Sequence, residues 1–355
     1  MFRTRIIQIL VFPIAVLYGA AASLRLFLYR MRVLRPARFD VPTISIGNMT
    51  VGGTGKTPHI EYLIQLLSPY FQVATLSRGY GRKTHGFMIA QPEHTADDIG
   101  DEPWQFKTKY PYVPVAVGER RDLAIPQLMH AFNDIKTILL DDAYQHLAVQ
   151  PFINVLLTEY DHLFTKDWVF PVGRLREWQS GYRRADAIIV TKCPEVMSET
   201  NRQRILKEIA PFYHQKVFFS YLKYGEPYPL FEKDERIKLS NSLDVIVLCA
   251  IARPQYLEAY LKTKVKSVLM MDFEDHRSFT NYDIAQTDEA FKNLPSEHKI
   301  VLTTEKDSAR LEKHYPYLIE NQLPIYILPI EVNFHFEAVE RFDAFIKDKL
   351  LAFKI

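Results

Sequence analysis

After Asp40 the chain alternates between short, unbroken apolar runs and stretches whose apolar residues recur every three or four positions. Residues 43–46, 73–76, 113–117, 137–140, 154–157 and 187–190 are runs of the first kind, rich in Val, Ile and Leu. Continuous apolar runs of this length read as strands buried on both faces of a parallel sheet. Helical patterning follows Lys56 and recurs around Asp122 to Phe132. A second series begins near Val245, with runs at 245–248, 268–270, 300–302 and 325–328, again separated by helical stretches. Polar, Pro- and Gly-bearing sequence from Lys223 to Asn241 divides the two series. The pattern predicts an α/β core at residues 39–222 and a smaller α/β lobe at 223–330. A C-terminal helix at 331–355 should pack back on the core, and a cleft between the lobes is the default site.

The segment before Asp40 breaks the pattern. Ile6 to Leu24 carry no charge, a length close to the ~20 residues that span a bilayer core. Arg3 and Arg5 precede this stretch, Arg25, Arg30, Arg32, Arg35 and Arg38 follow it, and no Asp or Glu occurs before Asp40. Residues 1–38 therefore read as a membrane-associated helix, with apolar side chains in the acyl boundary and arginines on anionic headgroups. A spanning helix competes with this reading, although Pro13, Gln8 and basic residues at both ends count against it. A helix packed on the protein's own core is a third reading. A cleaved signal peptide fits poorly with the arginine-rich continuation.

Composition narrows the classes further. The 355 residues are 48% hydrophobic and 24% charged, as expected of a globular core. A net charge of only +2 gives no global field for nucleic acid. Cys193 and Cys249 stand in unrelated contexts with no Cys/His cluster, which argues against a disulfide framework or a zinc site.

The chemistry begins where the first strand ends. Thr50-Val51-Gly52-Gly53-Thr54-Gly55-Lys56-Thr57 lies between a strand and a helix, the context of a P-loop. Its glycines let successive backbone N–H groups face phosphate oxygens, and the helix N-terminus adds partial positive charge. Lys56 is expected to reach the β- and γ-phosphates and Thr57 to offer its hydroxyl to Mg²⁺. Thr50 stands where such loops usually begin with glycine. Residues 138–140 run into Asp141 and Asp142, the form of a metal-holding acid at a strand end. Thr191-Lys192-Cys193-Pro194 partly matches a guanine-reading element, but Pro194 replaces its aspartate, so ATP is the expected nucleotide. The predicted fold class is therefore α/β: a P-loop NTPase-type parallel-sheet domain, a second smaller α/β lobe and an N-terminal membrane-associated helix.

The segment from Gly47 through Pro58 resembles the P-loop signature of tetraacyldisaccharide 4'-kinases, the lipid A kinases of Gram-negative bacteria, in which the first loop position is likewise not glycine. Further segments agree in order: Ser77-Arg78-Gly79-Tyr80-Gly81-Arg82, Gly100-Asp101-Glu102-Pro103, Glu119-Arg120-Arg121 and Asp141-Asp142-Ala143-Tyr144-Gln145-His146. Pro171-Val172-Gly173-Arg174-Leu175-Arg176-Glu177, Asp275-His276 and Thr304-Glu305-Lys306-Asp307 continue the series. Ala143 and Arg277 depart from residues common in the family. The resemblance implies transfer of the ATP γ-phosphoryl to the 4'-hydroxyl of an acylated glucosamine disaccharide 1-phosphate, giving lipid IVA. This reaction is expected at the cytoplasmic face of the bacterial inner membrane, with the enzyme peripheral or held by a single helix and needing no obligate protein partner.

By the same resemblance Asp101, assisted by His276, is the base that accepts the hydroxyl proton, and the two lobes must close to join them. Lys56 and Arg176 stabilise transferred charge, Glu177 is an additional Mg²⁺ contact, and Arg120, Arg121 and Arg174 serve substrate or phosphate. A membrane-recruited P-loop switch ATPase acting on protein partners is the alternative; it leaves Asp275-His276 unexplained. A lipid-binding protein with a vestigial nucleotide site is a further rival, disfavoured by the joint presence of Lys56, Thr57 and Asp142.

Overall fold

The computed structural model describes residues 2–231, 235–275, 277–336 and 338–354. The core sheet contains β1 (Thr43–Asn48), β2 (Val73–Ser77), β3 (Met88–Ile89), β4 (Val115–Val117), β5 (Thr137–Asp141), β6 (Ile153–Glu159), β7 (Ala187–Thr191) and β8 (Lys216–Tyr224). The smaller sheet contains β9 (Tyr228–Pro229), β10 (Asp244–Cys249), β11 (Ser267–Asp272), β12 (Lys299–Thr304) and β13 (Ile325–Leu328); β14 (Ile330–Phe334) returns to the core. The helices are α1 (Phe2–Arg30), α2 (Lys56–Leu67), α3 (Ala96–Ile99), α4 (Asp101–Lys109), α5 (Arg121–Ala131), α6 (Glu199–Ile209), α7 (Pro254–Lys262), α8 (Asn281–Asn293), α9 (Glu305–Leu311), α10 (Tyr315–Glu320) and α11 (Ala338–Leu351). The architecture is the α/β class that the patterning predicts: a parallel-sheet core, a second smaller α/β lobe and an apolar N-terminal helix.

The core sheet runs in the order β14-β8-β7-β6-β1-β5-β2-β4-β3. Every residue of β1, β5, β6 and β7 is buried, which explains why these strands lack polar alternation. One face is covered by α2, α4 and α11 through Ile60, Leu63, Phe106, Phe342 and Ile346. The other is covered by α5 through Ile125 and Leu128, and by α6 through Ile205 and Ile209. Each fully buried Leu, Ile or Phe contributes about 1.5–3 kcal/mol. In register, β1 pairs with β5 so that Ile46 lies opposite Asp141. That pairing sets the acid beside the loop that leaves β1.

The chain enters the second lobe after β8 and leaves it by β14, which pairs antiparallel with β8. The two crossings lie side by side, joined by a Gly225 N–H to Pro329 carbonyl bond of 2.9 Å. The return strand was not predicted from the sequence. It is an edge strand in which buried, half-buried and exposed positions are mixed over five residues, which makes a weak signal.

Helix α1 meets the body along a narrow stripe. Ala15 and Gly19 are buried, and a Cβ on Gly19 would come within 2.6 Å of the Trp178 ring. Phe12, Ile14, Leu17, Leu24 and Phe27 face outward. Small residues inward and large apolar residues outward invert the usual pattern of a soluble helix. Val11–Arg30 is long and apolar enough to cross a membrane.

Candidate active site

The loop between β1 and α2 is held in shape before any ligand arrives. Gly52 (φ 112°) and Gly55 (φ 89°) adopt left-handed backbone that other residues avoid, turning the chain into α2 at Lys56. Asn48 donates to the Gly52 carbonyl (3.3 Å) and to Thr54 Oγ1 (2.9 Å). From the end of β7, Thr191 Oγ1 donates to the Thr54 carbonyl (2.9 Å), and the Lys192 ammonium donates to the Gly53 carbonyl. Lys192 is itself paired with buried Glu159 at 2.7 Å. On the other side Thr50 forms a bridge with Leu175, and the Val51 N–H donates to the Arg174 carbonyl at 2.8 Å. The bracing by Lys192 was missed at the sequence level. The residue was read for base recognition, and its partners lie 33 and 139 positions away.

Two neighbouring carboxylates face this loop. Asp141 closes β5 and is fully buried; Ser77 Oγ donates to its Oδ2 at 3.4 Å, while Oδ1 has no partner. Burial, then the charges of Glu102 and Asp142, push its pKa up to about 7 against the pull of Lys56 and Arg121. Asp142 has left-handed backbone (φ 44°), so its side chain leaves in a different direction. Its Oδ2 lies 3.7 Å from Lys56 Nζ, and Arg176 Nη1 donates to both oxygens at 3.2 and 3.1 Å. Burial raises its pKa, but Lys56 and Arg176 outweigh this and hold it below the usual carboxylate range. An orphaned buried oxygen among converging acids suits a divalent cation. Among the described residues no three His, Cys, Asp or Glu groups form a complete ligand set. Mg²⁺ tolerates this, because it takes one or two carboxylates and fills its shell with water and phosphate oxygens.

The remaining predicted residues divide. Arg121 is buried and donates to the backbone carbonyls of Asp141 (2.6 Å) and Asp142 (3.3 Å), beneath the acids. Glu177 takes a two-point contact from Arg184 (both 2.6 Å) and one from Gln145 (2.8 Å). Arg120 pairs with Asp122 at 2.7 Å on the surface and Arg174 with Asp167 at 3.0 Å; neither lines the cleft. Asp101 begins α4 next to Glu102, which lines the cleft although Asp101 itself does not, and it accepts from Arg310 Nε (3.0 Å) and Nη2 (2.6 Å), an arginine of the second lobe. Arg310 is itself held by Asp307 (2.7 Å) and the Ala250 carbonyl (2.9 Å). His276 lies outside the described residues. Beside these, Lys306 Nζ is 3.2 Å from Glu102 and 3.9 Å from Asp275, a second bridge between the lobes.

The groups surround a cleft of about 1190 Å³. Its floor is residues 51–57 with Asp141, Asp142 and Arg176, and its far wall carries Ile251, Tyr256, Leu257 and Lys306 of the second lobe. Tyr18, Ala22, Arg25 and Leu26 of α1 line its mouth. A P-loop backbone, paired acids and a second lobe across the cleft define a two-lobed P-loop phosphotransferase.

The tetraacyldisaccharide-1-P 4'-kinase family model matches residues 7–351. The tetraacyldisaccharide 4'-kinase of Bacteroides thetaiotaomicron is 42% identical over 335 residues, covering 91% of this chain and 88% of that protein. The Flavobacterium johnsoniae protein of the same name is 42% identical over 327 residues, 92% of each chain. The crystal structure of LpxK from Aquifex aeolicus in complex with ATP superposes with a TM-score of 0.72 at 25% identity, covering 97% of this chain and 99% of that one. The chain belongs to the tetraacyldisaccharide 4'-kinase family.

Proposed function

We infer that this protein transfers the γ-phosphoryl of ATP to the 4'-hydroxyl of tetraacyldisaccharide 1-phosphate, forming lipid IVA in lipid A biosynthesis, at the cytoplasmic face of the inner membrane. One observation carries this reading: a P-loop floor and an outward-apolar helix line the same cleft. A soluble phosphoryl acceptor would not need the second feature; an acylated one would.

The chain's own residues divide the work. Residues 50–57 cradle the ATP phosphates, and Lys56 and Arg176 stabilise charge that spreads over the transferring group. Thr57, Asp141 and Asp142 would hold Mg²⁺, which would supply charge neutralisation at the phosphates, and Glu177 would join them only by giving up part of its pairing with Arg184 and Gln145. Arg121 supports the acids from beneath. Asp101 takes the proton of the 4'-hydroxyl, assisted by His276. The Glu102–Lys306–Asp275 bridge supports that pairing, because it ties the residues next to Asp101 and next to His276 across the cleft. Arg120 and Arg174, placed off the cleft, are left with local structural pairings.

The test is phosphate transfer to detergent-dispersed tetraacyldisaccharide 1-phosphate by purified protein with Mg-ATP. Lipid that gains one phosphate, with loss of the signal in Lys56→Ala, supports the kinase. ATP turnover without lipid product would favour a switch ATPase instead.

A further inference from the structure

Residues 167–175 form a tight loop whose tip is apolar yet exposed. Trp168 is 55% and Phe170 52% exposed, whereas their neighbours Val169 and Leu175 are almost completely buried. The loop is rigid: the Phe170 N–H donates to the Leu175 carbonyl and the Leu175 N–H to the Trp168 carbonyl, each at 2.9 Å. Asp167 accepts from the backbone N–H of Trp168 (2.8 Å) and of Arg174 (3.1 Å). About half of each ring is left in water on this fixed frame. Each ring meets α1 edge-on, Trp168 with Phe12 and Phe170 with Tyr18, both at 6.2 Å between centroids. Exposed apolar surface therefore continues without a break from α1 onto the loop.

We propose that the 167–175 loop is a second membrane-inserting element, in which Trp168 and Phe170 enter an anionic phospholipid surface beside α1. The occupant follows from charge. Arginines at 25, 30, 32, 35 and 38 follow the apolar stretch of α1 with no acidic residue before Asp40, complementary to anionic headgroups. Trp and other amphipathic rings favour the headgroup level of a bilayer. The loop is also wired to the chemistry. Its far end pairs with the P-loop through the Val51 N–H to Arg174 carbonyl bond (2.8 Å) and the Arg176 N–H to Met49 carbonyl bond (2.7 Å). Insertion of the tip fixes the height and tilt of the phosphate site over the bilayer, so that a headgroup hydroxyl is met at a set depth. The proposal rests on the membrane-surface reading above.

The test uses the full chain with phosphatidylglycerol/phosphatidylethanolamine vesicles. Trp168→Ala/Phe170→Ala, with α1 intact, is expected to weaken vesicle co-sedimentation by tenfold or more while leaving turnover of detergent-dispersed substrate near normal. Vesicles with bromine on the upper acyl chain should quench tryptophan emission of the unaltered protein. Trp168→Phe should keep most of the binding and lose most of that quenching, leaving half-buried Trp104 and Trp178. Equal binding by the double variant and the unaltered protein, or quenching that survives Trp168→Phe, overturns the loop's role. Unaltered protein that ignores the vesicles overturns the membrane reading and the proposal together. A dimer in solution that the double variant abolishes, with vesicle binding unchanged, assigns the rings to self-association and overturns the proposal.

Discussion

Asp141 and Asp142 are covalent neighbours with opposite tendencies, one raised to about 7 by burial and nearby acids, the other held down by Lys56 and Arg176. The left-handed turn at Asp142 separates their environments. Lys56 sits between the loop and this pair, so Lys56→Ala should remove both phosphate stabilisation and a counter-charge. Loss of one such stabilising group costs about 10²–10³ in kcat; near-normal turnover in the lipid assay would sink the P-loop reading. Asp101→Ala should lower kcat far more than it changes ATP affinity, and an effect on KM alone would make Asp101 a binding residue. Arg310 is almost fully buried between Asp101 and Asp307, so its truncation removes the positive charge that both carboxylates face. Arg310→Met should lower stability by about 3–5 kcal/mol, visible as a depressed thermal midpoint. Lys56, Thr57 and Asp141 were legible in the sequence because their spacing from a strand end is itself the signal. Arg310 was not, because its partner Asp101 lies 209 positions away.

Helix α1 and the loop from β1 to α2 are elements whose roles follow from what they leave unpacked. The α1 stripe of Ala15 and Gly19 is narrow because Trp178 comes so close, and a larger side chain at 19 would push the helix off. Gly19→Leu should therefore keep vesicle binding, since the outward residues are untouched. It should reduce kcat/KM for the lipid without altering ATP affinity, because the helix no longer flanks the cleft. Unchanged lipid kinetics would mean that α1 is an anchor only. Removing residues before Arg38 should weaken vesicle binding more than any single substitution; undiminished sedimentation would assign membrane contact to another surface. The apolar stretch and its arginines were plain in the sequence, but its inward and outward faces were not. They depend on where one tryptophan stands, and no periodicity records that.

Across the molecule, charge joins the two lobes. Lys109 of α4 pairs with Glu61 of α2 at 2.8 Å and with Glu305 of α9 at 2.7 Å. Burial opposes the charge on Lys109, but the two carboxylates outweigh it and raise its pKa. One ammonium does not fully satisfy both acids, and burial followed by repulsion from Glu305 pushes Glu61 up to about 7. An acid whose pKa is raised on folding binds more protons folded than unfolded. Stability from this site therefore falls as pH rises from about 4.5 to about 7, by on the order of 1–3 kcal/mol. Glu61→Gln should flatten that slope in thermal melts across the window; an unchanged slope would place the titration elsewhere. Such a bridge links the phosphate-binding helix to the second lobe, so the same variant reports on lobe docking. By itself the sequence determined the strand–loop–helix that binds phosphate, the α/β alternation and the apolar basic start, because each is encoded by residues close together in the chain. Only the tertiary structure decided which arginines face the cleft, which acid is pushed up and which held down, and how the lobes are tied. Those depend on charges brought together from distant positions, where burial and pairing, not spacing, set the energy.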